Sequence, residues 1–234
     1  MNKQESEVIE IIPDHQSRFS GADWCLRPDK MPYVQVIGLG NLGSWLSLFL
    51  NRMGYNLVLI DKDNLEPVNS SGQLYTNYNT NEHTLKTEGI VDILCDFGSA
   101  VPDFKILTGD YTEMDFISPI VISCVDSMKV RRDIYNKWKK QEDKKIFIEA
   151  GSSAEGFEIY GITPDREEWY EQVRINDEVE GTENCSYKAT SHIGAMCSAY
   201  IAQILSNFTG TNPIRTVPKR LSYNGIMLIT TTEV

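Results

Sequence analysis

No stretch of this 234-residue chain reaches the roughly 18 consecutive apolar residues that a membrane-spanning helix needs. The opening residues MNKQESEVIE also lack the apolar core of a secretory signal, so a soluble cytoplasmic protein with no membrane association is expected. Histidine is scarce, and His15, His83 and His192 are too scattered to make a metal cluster. Cysteine is odd in number: Cys25, Cys95, Cys124, Cys185 and Cys197 never fall in a C-x-x-C pair. That argues against a disulfide framework and against a zinc site of ordinary spacing. Positive charge is in deficit as well. With 22 Lys and Arg against 33 Asp and Glu the net charge is −11, the wrong sign for gripping nucleic-acid phosphates. There is no repeat and no low-complexity run. A hydrophobic content of 41% over this length is enough for one large core, so residues 32–234 are expected to form a single domain behind an N-terminal arm, 1–31.

What the chain does have is concentrated between Tyr33 and Asp63, YVQVIGLGNLGSWLSLFLNRMGYNLVLIDKD. The apolar run YVQVI predicts a strand. It leads into GLGNLG, in which Gly38, Gly40 and Gly43 form G-x-G-x-x-G with Asn41 inside it. In this order the first glycine permits a tight turn, the second lets backbone N–H groups approach a phosphate, and the third lets helix pack on strand. Leu42, Trp45, Leu46, Phe49, Leu50 and Met53 recur at helical spacing, predicting a helix whose N-terminus can face an anion. A second strand, Asn56–Ile60, ends at Asp61, placed to take ribose hydroxyls and to repel a 2′-phosphate. The segment reads as an adenine-nucleotide site.

Downstream, a polar loop fills residues 64–84, and a helix from Leu85 to Phe97 presents Ile90, Ile93, Leu94 and Phe97 on one face, with Lys86 in its first turn. Strands are expected at Phe104–Leu107 and Pro119–Cys124, with Asp126 just past the second. A helix at Met128–Lys140 and a strand at Lys145–Ala150 complete a doubly wound parallel half. The pattern then changes. IFIEAG and GFEIYGITP are separated only by a short turn, which predicts a hairpin and an antiparallel C-terminal half of the same mixed sheet. The fold class is therefore α/β, with a Rossmann-like first half. Between Pro164 and Asn184 eight acids face two arginines, so this stretch supplies −6 of the −11. It is either a docking surface for a basic partner or a solvated face. A helix at Ile193–Phe208 and a last strand within Arg220–Thr231 close the chain.

Placed along the carboxyl edge of such a sheet, Asp61, Asp63, Asn69, Gln73, Lys86, Asp126 and Arg131 exceed what a dinucleotide needs. A lysine in a helix's first turn is disfavoured by the dipole, and with a carboxylate beyond the switch-point strand it suits a triphosphate with Mg²⁺. Taken singly, Lys86 reads equally as a solvated helix residue and Asp126 as a helix N-cap.

Together these words resemble the adenylating superfamily of ThiF, MoeB and the ubiquitin-activating enzymes. GLGNLG looks like its nucleotide turn, DKDNLEPVN like its D-x-D-x-V-x-x-x-N, HTLK like its G-x-x-K, and SCVDSMKVR like its C-x-D-x-x-x-x-R. RFSGA and SGQLY are similar to words in phage- or plasmid-type members. The resemblance implies ATP and Mg²⁺ as cofactors, with Asp61, Asp63, Asn69, Lys86 and Asp126 lining the site and Asp126 on the metal. It implies a homodimer in which an N-terminal arginine, here Arg18 with Arg27 behind it, crosses to the partner's site. It also implies that Cys185, after a crossover loop at about 164–190, can accept the activated acyl group. The activity implied is adenylation of a protein or peptide carboxyl terminus, of ubiquitin-like, sulfur-carrier or peptide type. One departure bears on it: where the family has N-x-x-R-Q, this chain has Asn69-Ser70-Ser71-Gly72-Gln73, so the arginine is glycine. That change favours, as an alternative, a catalytically impaired nucleotide-binding partner or scaffold. The glycine motif alone would also fit an NAD-dependent oxidoreductase.

Overall fold

The computed structural model describes residues 33–99, 103–114, 118–175, 190–210 and 215–234. One eight-stranded mixed sheet organises the molecule, in the order β3-β2-β1-β4-β5-β6-β7-β8. β1 (Tyr33–Ile37), β2 (Asn56–Asp61), β3 (Phe104–Thr108), β4 (Ile120–Ser123) and β5 (Ile146–Ser152) run parallel. β6 (Gly156–Ile162), β7 (Arg220–Asn224) and β8 (Ile229–Glu233) continue the sheet antiparallel. The strand order reverses between β1 and β4, where a doubly wound sheet opens a crevice at its carboxyl edge.

The central strands are parallel and apolar for the same reason: helices cover both faces. Successive strand side chains point to opposite faces, so each strand divides its residues between two cores. Val34, Val36, Leu57, Leu59, Ile120, Ile122, Ile146 and Ile148 meet α1 (Asn41–Arg52), α3 (Lys86–Phe97) and α6 (Ser191–Thr209). Val58, Ile60, Val121 and Phe147 face α4 (Met128–Lys139) and α5 (Glu167–Tyr170). On that second face Tyr135, Trp138, Phe147 and Tyr170 form an aromatic cluster, with Tyr135 and Tyr170 centroids 4.8 Å apart. Among the described residues no helix is long and apolar enough to cross a membrane.

Four sequence expectations change in detail. The polar loop after Asp63 is partly ordered, as a 3₁₀ turn at Pro67–Ser71 and a short helix α2 (Asn77–Asn81) capped by the Thr76 hydroxyl. Phe97, expected on the inner face of α3, is 55% exposed, because the helix ends there and leaves the sheet. In α1, Trp45 and Phe49, with Met53 just past its end, are only partly buried, while Ser44, Ser47 and Asn51 are buried. The helix is sandwiched between sheet and α6, so its buried surface is wider than one stripe; Ser198 of α6 donates to the Leu42 carbonyl at 2.8 Å. Finally, the tail is a hairpin, β7 turning into β8 at Gly225–Leu228, and not a single strand.

Candidate functional site

The glycine turn joins β1 to α1 at the point of strand-order reversal. Gly38 has φ +91°, a conformation that side chains rarely adopt, and a Cβ there would lie 3.0 Å from the Cys124 carbonyl at the end of β4. At Gly43 a Cβ would fall 1.8 Å from the Gly38 carbonyl oxygen, so the helix can start this close to the turn only with glycine. Gly40 differs, since a Cβ there would meet nothing within 4 Å. Among the described residues the space beside it is open, and the N-cap of α1, Gly40 itself, supplies no side-chain cap. Uncapped N–H groups at an open helix N-terminus are what an anion requires.

Asp61, at the end of β2, fixes this turn. Its carboxylate accepts from Leu39 N–H at 2.6 Å and from Asp63 N–H at 2.8 Å. Tyr75 holds Leu39 from the other side, donating its buried hydroxyl to the Leu39 carbonyl at 2.7 Å. Burial, then the Asp61 charge, raises the Tyr75 phenol well above its usual range, so it stays a donor. Both backbone groups of Leu39 are thus clamped.

Lys86 reaches the same place because both ends of the long loop are tied to the start of α3. Leu65 N–H bonds the Thr84 carbonyl at 2.8 Å, Lys86 N–H bonds the Asp63 carbonyl at 3.0 Å, and Asn64 bridges Leu85. The Lys86 ammonium lies 3.0 Å from Asp63 and 3.9 Å from Asp61. It is a buried cation at the edge of the glycine turn, and Asp63, whose side chain is 57% exposed, is the carboxylate that can release it.

The remaining expected residues fall around this centre. Asp126 is exposed just past β4 and makes no bond to another described residue; Ser127, not Asp126, caps α4 by accepting from Val130 N–H. Its carboxylate is therefore left for another use. Asn69 spends its side-chain oxygen on Glu66 N–H at 2.7 Å in a capping box around the 3₁₀ turn. Gln73 has a buried side-chain oxygen, and Asn41 two buried amide atoms against Gly194 of α6, that find no partner among the described residues. Arg131 is buried, with its Nε on the Val125 carbonyl at 2.7 Å and its Nη1 on Glu149 at 3.3 Å, so it braces the end of β4. Arg18 and Cys185 lie outside the described residues, as does the part of the acidic stretch that follows Ile175.

Sequence reasoning missed Tyr75, Trp45 and Ser44. Trp45 donates to the Gly72 carbonyl at 3.0 Å and Ser44 accepts from Leu74 N–H at 2.9 Å, which pins residues 72–74 onto α1. Gly72 itself has φ −125°, open to any residue, so its backbone does not demand glycine. Among the described residues no group of three or more His, Cys, Asp or Glu could cage a metal. A magnesium ion needs none when a nucleotide supplies the other oxygens, and one exposed carboxylate at Asp126 fits that role.

The sequence profile of the ThiF family matches residues 19–232. The chain belongs to the ThiF family. No curated protein sequence matches it significantly. Solved structures similar to this ThiF-family chain include E. coli MccB with succinimide, at TM-score 0.66 and 18% identity over 88% of this chain and 65% of that one. E. coli MccB with ATP gives 0.66 and 17% over 88% and 65%, and PaaA gives 0.68 and 18% over 88% and 64%. These likenesses establish the shared α/β fold. The chain spans just under two thirds of the length of those structures.

Proposed function

We propose that this ThiF-family protein uses Mg·ATP to adenylate the carboxyl terminus of a peptide or small protein. The observation that carries the reading is the open, uncapped turn at Gly40 with the buried Lys86 cation beside it, paired to an exposed carboxylate it can leave. The substrate carboxylate oxygen attacks the α-phosphorus, a new O–P bond forms, and the bond to the bridging oxygen breaks as pyrophosphate departs with the electron pair. The N–H groups at the start of α1 bind phosphate, Asp61 takes the ribose hydroxyls, and Lys86 leaves Asp63 to neutralise charge on the phosphates. Asn41, Asn69 and Gln73 complete the nucleotide's polar lining. Asp126 holds Mg²⁺, which supplies further charge neutralisation there. No proton transfer is required of any of these groups.

Two further roles belong to the same reading. Arg18 acts from the partner subunit of a homodimer on the phosphates, and the Cys185 thiol, losing its proton to solvent, attacks the acyl carbon of the adenylate to form a thioester as the C–O bond breaks and AMP departs. MccB has been solved with the peptide MccA, which supports a peptide over a ubiquitin-like or sulfur-carrier protein as the substrate class. The direct test incubates purified protein with Mg·ATP and a panel of peptides with free carboxyl termini, and seeks the acyl-adenylate by mass spectrometry. An adenylate on at least one peptide class is expected, and tight ATP binding without any adenylate contradicts it. That negative outcome is what the second reading, a nucleotide-binding scaffold, expects, and Gly72 in place of the family's arginine favours it. A protein binding NAD more tightly than ATP would revive the oxidoreductase reading.

A further inference from the structure

Glu149 is a fully buried carboxylate in the otherwise apolar first five residues of β5, and nothing proposed above uses it. Its register partner in β4 is Ser123, so it lies immediately inside the edge where Cys124 to Asp126 leave the sheet. Two arginines from separate elements close on one of its oxygens. Arg131 of α4 approaches at 3.3 Å, and Arg174, in the single π-helical turn Glu171–Ile175, approaches with Nε at 3.0 Å and Nη2 at 2.9 Å. Tyr170 donates its hydroxyl to the other oxygen. Arg131 carries the connection onward through its bond to the Val125 carbonyl, the residue before Asp126. Gly151 leaves room for this, since a Cβ there would lie 3.0 Å from the guanidinium.

Such a network is a poor way to add stability. Desolvating a carboxylate and two guanidiniums costs about what their pairing returns, and apolar replacements often fold as well. What a fully satisfied buried network does supply is one fixed arrangement of the elements that meet in it. Here those elements are the turn that leaves β4, which carries Asp126, and the segment Pro164–Ile175 that leaves β6.

We propose that Arg174 is a positioning residue which, through Glu149 and Arg131, sets the place of the Asp126 carboxylate, so that the pairing of Arg174 with Glu149 governs how the site takes up Mg²⁺ with ATP. The inference rests on Asp126 being the metal carboxylate. Its test begins on the ligand-free protein, by hydrogen–deuterium exchange over Cys124–Ser127, where Cys124 N–H is bonded to the Ile37 carbonyl at 2.8 Å. Arg174→Met speeds exchange there about tenfold, and Arg174→Lys, which keeps the charge without the fork, lies between it and wild type. Lys139→Ala removes the ammonium from Glu171 of the same segment, leaves Glu167 paired with Lys144 at 3.1 Å and does not touch Glu149, so it leaves Cys124–Ser127 unchanged. ATP titrations with and without Mg²⁺ form the second arm: Arg174→Met weakens the Mg²⁺-dependent binding about tenfold and leaves Mg²⁺-free binding alone. Unchanged exchange in Arg174→Met, or equal acceleration in Lys139→Ala, overturns the coupling. Wild-type protein that binds ATP no better with Mg²⁺ would instead remove Asp126 from the metal, while the exchange arm still decides whether Arg174 braces the end of β4.

Discussion

Three glycines at fixed spacing do three different jobs, and single substitutions separate them. Gly43→Ala places a methyl 1.8 Å from the Gly38 carbonyl and is expected to cost at least about 3 kcal/mol in a denaturant titration. Gly40→Ala meets nothing within 4 Å, so it leaves stability near wild type while weakening ATP binding. Equal losses of stability in both variants would contradict that division. Lys86→Ala is expected to fold, since Asp61 keeps its two backbone N–H donors, and to slow adenylation by about 100-fold or more. Gly72→Arg restores the side chain that the family carries there. It should raise the rate about tenfold or more if that arginine is what the site lacks, and no gain would favour the scaffold. Gly38 and Gly43 were legible in the sequence because close backbone approach has one chemical solution. Tyr75 was not, for a tyrosine in a polar loop has no periodicity to announce its hydroxyl bond to Leu39. Asn69 is expected from the sequence to line the site, yet its oxygen serves the 3₁₀ turn that presents the loop.

At the scale of elements, the site depends on how the segment between Asp63 and Lys86 is tied down. Its ends are fixed by backbone bonds, but its middle is fixed by α1, through Trp45 and Ser44. Trp45→Phe keeps an aromatic ring, smaller than the indole, and removes the N–H, so it should raise amide exchange over Gly72–Leu74 and weaken ATP binding several-fold without unfolding the protein. Unchanged exchange there would show that the indole bond does not hold the loop. The strands and long helices were readable because burial on both faces enforces apolar runs and helical spacing. The loop was not, since its order comes from partners far away in the chain. The tail shows the converse error: Ile226 and Leu228 look like inward strand positions, yet both are exposed in the turn between β7 and β8. Apolar alternation cannot distinguish one long strand from two short ones when the turn carries apolar side chains.

For the whole molecule, the doubly wound parallel half and the switch to an antiparallel half followed from where helices alternate with strands and where they stop. The expectation of a homodimer came only from resemblance. If Arg18 completes the partner's site, mixing Arg18→Ala with Lys86→Ala subunits restores part of the activity that each lacks alone. Failure of exchanged mixtures to recover any activity would place Arg18 outside the shared site. The most direct measurement of the central claim is ATP–pyrophosphate exchange by the purified protein with carboxyl-terminal peptides. Exchange that needs both Mg²⁺ and a free peptide carboxylate, and that is lost in Lys86→Ala, is the expected result. ATP binding with no exchange on any peptide or carrier protein tested, unchanged on restoring arginine at Gly72, would contradict it.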